Sequence, residues 1–112
     1  MTKILVLVKP GPRKALVEDV ARLFPEHRFE YADTVADAAG KLAGAKIVLL
    51  GYDFGKAAAT GNDFLKSTRG KFSFTVVGLE PGLDTADSRL KYAGYHRDLL
   101  VESIRKALLY VD

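Results

Sequence analysis

Cysteine is absent from the 112-residue chain. That excludes disulfides, thiolate zinc sites, iron–sulfur clusters and cysteine nucleophiles. Long apolar runs are also lacking. Runs such as residues 4–8 and 47–50 are far too short to span a bilayer, so no direct membrane insertion is expected. Charge of one sign is scarce. Seventeen basic residues against fourteen acidic give only +3, spread along the chain. No nucleic-acid partner is expected from that balance, because no basic face interleaved with aromatics appears. Histidine is limited to His27 and His96; both read as solvated surface positions, and no metal-ligand spacing exists. The start, Met1-Thr2-Lys3-Ile4, enters a strand without the layout of a signal peptide, so a cytoplasmic protein is expected.

What is present is an alternation of strand and helix signals within the length of one domain, residues 1–112. Residues 4–8 form a continuous apolar run, as in a parallel strand covered on both faces. Lys9-Pro10-Gly11-Pro12-Arg13-Lys14 turns the chain, and Pro12 is placed to open a helix. Leu16, Val17, Val20, Leu23 and Phe24 give that helix one apolar stripe. Residues 27–32 alternate as a half-buried edge strand does, and Thr34 with Asp37 signals the start of a second helix. Residues 45–51 read as another buried strand.

A long glycine-bearing segment follows, residues 52–62. Asn62 is expected to cap a short helix over 63–69, ended by Gly70. Residues 72–79 read as the fourth strand. Asp84 or Thr85 would cap a further helical piece through Ala93, while residues 91–95 are equally compatible with a fifth strand. Leu100, Ile104, Ala107, Leu108 and Val111 mark the last helix.

Such a pattern is α/β: a parallel sheet of four strands, or five, with helices on both faces. Right-handed crossovers and a switch beside the first strand give the order 2-1-3-4, with any fifth strand added at the end. Four segments then share one carboxyl edge: residues 9–14, 33–34, 51–62 and 80–85. Ligands of open α/β sheets bind at that edge.

Two clusters there carry chemistry. Lys9, Gly11, Arg13 and Lys14 surround a helix N-terminus, where unpaired amides and the helix dipole favour an anion such as a phosphate. Tyr52, Asp53, Phe54 and Gly55 form the second, with aromatics able to stack on a planar ring and glycines at 51, 55 and 61 allowing close approach. Asp33, Asp53 and Glu80 end three strands and could converge, although carboxylates there are commonly caps. Tyr92 and Tyr95, beside Arg89 and Lys91, suggest a partner patch. No serine stands in a nucleophile-elbow context, so no catalytic residue is assigned.

Three families resemble parts of this chain. ILVLV-KPGPRKALV, AKIVLLG and ESIRKALL are similar to the strand, phosphate-cradling loop, third strand and last helix of the lactose/cellobiose-type IIB domain of the sugar phosphotransferase system. That resemblance implies a four-stranded flavodoxin-like fold and phosphate recognition. The family's phosphoryl-carrying cysteine would fall on Val8, so phosphotransfer is not implied.

AGAKIVLLGYDFG and GKFSFTVVGLEPG resemble the flavodoxin family, which implies FMN and a stacking role for Tyr52 or Phe54. The layout also resembles receiver domains. Val8 and Lys9 stand where an acidic pair is expected, and Gly51 where the phospho-acceptor aspartate is expected. The expectation is a non-catalytic flavodoxin-like module that binds a phosphorylated small molecule or protein partner. An FMN-binding electron-transfer protein and a degenerate receiver or interaction domain are the alternatives, with a second copy of the chain among the partners considered.

Overall fold

The computed structural model describes residues 2–53 and 60–111. Five strands, β1 (Lys3–Leu7), β2 (Arg28–Ala32), β3 (Ala45–Leu50), β4 (Thr75–Gly78) and β5 (Leu90–Ala93), form one sheet in the order β2-β1-β3-β4-β5. Every pairing is parallel. Four helices complete the described chain: α1 (Pro12–Ala21), α2 (Val35–Lys41), α3 (Gly61–Thr68) and α4 (Arg97–Leu108). This is the flavodoxin-like arrangement, and the open question of a fifth strand resolves in favour of β5.

The continuous apolar strands explain the layering. Successive side chains on a strand point to opposite faces, so β1 sends Ile4 and Val6 one way and Leu5 and Leu7 the other. Ile4, Val6, Ile47, Leu49 and Val77 pack with Val17 and Val20 of α1 and Leu100, Ile104 and Ala107 of α4. Leu5, Leu7, Val48, Leu50 and Val76 pack with Ala38, Leu42, Phe64 and Leu65 from the side of α2 and α3. A strand between two helical layers has no solvent face, which is why an alternating pattern is missing from its sequence.

Several local expectations change. Leu23 does not join the α1 stripe. The helix ends at Ala21, the phase of the stripe is lost, and Leu23 turns outward while Phe24 stays buried. Thr60, rather than Asn62, caps α3. Its side chain accepts from the Asp63 amide, and the Asp63 carboxylate accepts from the Thr60 amide at 2.9 Å. The Asn62 side chain is instead engaged with Gly82 O and the Asp84 amide.

No helix follows Asp84 or Thr85. Asp84 Oδ1 accepts from the Ala86 amide at 3.0 Å, a local turn with no apolar stripe behind it. The chain then goes straight into β5. His27 is not solvated: Nδ1 accepts from the Thr2 amide at 3.0 Å and its side chain is 16% exposed. His96 is exposed and serves as the N-cap of α4.

The β4–β5 connection has no helix to pin it, and α3 holds it instead. Asn62 donates to Gly82 O at 3.1 Å and accepts from the Asp84 amide at 2.7 Å. Arg89 crosses under the connection, donating to Leu65 O at 2.7 Å and Thr68 Oγ1 at 2.8 Å. It also pairs with Asp87 at 2.7 Å and lies 4.9 Å from the Phe74 ring centroid.

Candidate functional site

The carboxyl ends of the strands bring the expected segments together. Gly51 N donates to Leu7 O and Leu79 N to Leu50 O, both at 2.8 Å. These bonds carry the β1–β3–β4 pairing past the strand ends and fix where each loop leaves.

At that edge the cations are engaged. Lys9 Nζ lies 3.4 Å from Asp53 Oδ2, with both side chains about half exposed, a geometry worth well under 1 kcal/mol. Arg13 is tied more firmly. It donates to Leu79 O, and to Tyr95 O at 3.3 Å, and its Nε is 3.7 Å from Glu80 Oε2. Glu80 in turn accepts from the Tyr52 and Asp53 amides through Oε1, at 2.7 and 3.1 Å. Arg13 and Glu80 therefore lock the ends of β3 and β4 to the turn before α4. Sequence reasoning missed this, because a carboxylate that captures two backbone amides leaves no mark at the level of spacing.

Lys14 points to the other side, with Nζ 5.4 Å from the Tyr31 ring centroid. Burial, and secondarily the Glu18 charge, push the Tyr31 hydroxyl pKa above its ordinary value. Lys14 and Tyr31 line a depression of about 150 Å³ with Val8, Pro10, Ala32, Asp33 and Asp37. Asp33 therefore stands on the Lys14 side of the carboxyl edge. Among the described residues no three His, Asp or Glu side chains are grouped to hold a metal ion.

The start of α1 differs from the other helix starts. Thr34, Thr60 and His96 each cap their helix with a side chain, and Asp37, Asp63 and Asp98 sit in the first turns. In α1 the N-cap is Gly11, at φ 142°, with no side-chain cap and no acidic residue in the first turn. Arg13 and Lys14 occupy the positions where the dipole prefers negative charge. The local field is therefore positive, with no internal counter-charge in that turn.

The second cluster is described in part. Tyr52 is exposed and its ring lies against Gly82, where an added Cβ would stand 3.0 Å from Cδ2. Phe54 and Gly55 lie outside the described residues. Gly61 does not open space for a ligand, since a Cβ there would stand 2.5 Å from both Gly51 O and Leu83 Cδ2. Its smallness lets α3 pack against the end of β3. Arg89 turns inward to α3, away from Tyr92 and Tyr95; Tyr92 packs on the α1–α4 face and Tyr95 is exposed. Tyr95 and Tyr92 line a larger hollow of about 450 Å³ with Glu80, Pro81, Gly82 and Leu90.

No protein-family model and no curated protein matches the chain. Solved structures do. A response regulator receiver domain, CheY-like, from Methylobacillus flagellatus superposes with a TM-score of 0.71 at 10% identity, over 96% of this chain and 98% of that one. A fusion carrying a trimeric coiled-coil segment of yeast Spc42 gives a TM-score of 0.74 at 18% identity, over 96% of this chain and 76% of that one. These likenesses establish the receiver-like α/β fold. At the receiver positions expected to be acidic, this chain has Val8, Lys9 and Gly51. Among the described residues no helix is long and apolar enough to cross a membrane.

Proposed function

We propose that the chain is a non-catalytic binding module of receiver-like fold that recognises an anionic group, carried by a phosphorylated small molecule or protein partner, at the β1–α1 loop. One observation carries this reading. α1 begins without a side-chain cap or an acidic first turn, so, with Arg13 already beside Glu80, an external anion would engage the uncapped amides of that turn and the Lys14 charge. Lys9 is the adjustable member of the site, because its bond to Asp53 is long and exposed. Lys14 approaches from the depression between β1 and β2. Gly11 lets the backbone come close. The lack of an acidic pair and of an acceptor aspartate argues against phosphoryl transfer, whether the ancestry is receiver-like or that of a IIB domain without its cysteine.

Arg13 is a poor choice for the test, because it also holds β4 to the α4 turn. The informative variant is Lys9→Gln/Lys14→Gln. Amide NMR titration with inorganic phosphate and a phosphoserine peptide should shift the amides of residues 9–15, and the double variant should weaken binding at least ~10-fold with no change in melting temperature. If millimolar concentrations of both probes leave those amides unmoved, the reading fails.

A further inference from the structure

A second surface lies at the opposite, amino edge of the sheet. Beyond the Arg97–Asp19 pair, which joins α1 and α4 at 3.0 Å, the segment that follows α1 and the last turns of α4 line a groove of about 500 Å³. Its α1 flank carries Leu23, Phe24 and Glu26, and its α4 flank carries Arg105, Leu108 and Leu109. Leu23 is 46% exposed and Leu109 is 77% exposed. Two large aliphatic side chains thus face solvent on opposite sides of one groove, a cost that burial would remove.

The charges say what covers them. The α1 flank is acidic through Glu26, whose side chain is 63% exposed and lies 3.3 Å from His27 Nε2. The α4 flank is basic. Lys106 is already held by Glu102 at 3.1 Å, whereas the Arg105 side chain has no hydrogen bond or ion pair among the described residues. One flank is therefore acidic and aliphatic and the other basic and aliphatic, which is the pattern of a self-complementary surface.

We infer that this groove is the contact surface of a homodimer. A two-fold axis running along the groove lays the α1 flank of each protomer on the α4 flank of its partner. Leu23 then packs on the partner's Leu109, Glu26 meets the partner's Arg105, and each contact occurs twice. The site at the carboxyl edge remains open in this arrangement, so the inference stands independently of the proposed function.

Charge reversal tests it. The unaltered protein should sediment as a concentration-dependent dimer, and Leu109→Glu should be monomeric. Glu26→Arg sets arginine against arginine across the axis, and Arg105→Glu sets glutamate against glutamate. Each alone should raise the dissociation constant at least ~10-fold. Mixed in equal amounts, the two single variants restore every opposite pairing and should form a heterodimer. All three positions are exposed, and unchanged far-UV circular dichroism will confirm folding. A strictly monomeric unaltered protein, single variants that dimerise as before, or a mixture that fails to associate would each overturn the inference.

Discussion

Single residues under the β4–β5 connection do work that a helix does elsewhere in the sheet. Asp87 is 6% exposed, and its carboxyl pKa is lowered, chiefly by the side-chain bond from Arg89, with burial acting in the opposite direction. The sign follows from linkage. A carboxyl with a lowered native pKa contributes stability above its unfolded pKa and loses it as pH falls through the native one. Urea midpoints should therefore drop as pH falls below the ordinary carboxylate range, and Asp87→Asn should flatten that part of the profile. At neutral pH the same variant leaves Arg89 without its counter-charge, at a cost of about 3 kcal/mol. An unchanged profile in Asp87→Asn would show that other acids carry the acid sensitivity. None of this was legible beforehand, because Asp87 and Arg89 reach Leu65 and Thr68 only once the β4–β5 connection lies against α3. Arg13 is similar. Its position at a helix start was readable, but its capture by Leu79 O and Tyr95 O depends on the far end of the chain.

At the scale of elements, legibility followed how local the determinants are. Strands buried on both faces, the Pro12 start of α1 and the Thr34 cap of α2 were all readable, since each is set within a few residues. The α3 start was misplaced by two residues because Thr60 and Asn62 are both good caps, and only the reciprocal bond from Asp63 chooses between them. Thr60→Ala removes that choice. It should lower stability by about 1 kcal/mol without altering β3 or β4, as thermal melting with an amide NMR spectrum would show. A loss below the detection limit would mean that packing of Phe64 and Leu65, and not the cap, fixes the helix start. β5 was ambiguous for a different reason. Leu90 and Tyr92 alternate with Lys91 as an edge strand would, yet Asp84 and Thr85 offer cap chemistry upstream. Tertiary clamping by Asn62 and Arg89 decides the matter.

For the whole molecule, the sheet makes one folding unit out of two separate cores. Ile4 and Leu5 are neighbours on β1, both fully buried, but Ile4 belongs to the α1–α4 side and Leu5 to the α2–α3 side. The two helical layers do not touch through the sheet, so they communicate only through strands that both must order. If that coupling is complete, a cavity on either side destabilises both. Ile4→Ala and Leu5→Ala should each cost about 2–5 kcal/mol, a large part of the 5–15 kcal/mol typical of a domain. The two sides can be watched separately. Tyr31 and Tyr92 pack on the α1–α4 side and Tyr52, Tyr95 and Tyr110 are exposed, so the tyrosine band of the near-UV circular dichroism reports that core, while the far-UV signal reports all four helices. In both variants the two signals should melt at one temperature. If Leu5→Ala lost far-UV signal while the tyrosine signal persisted, the α2–α3 layer would be unfolding alone, and the sheet would be a partition between two units.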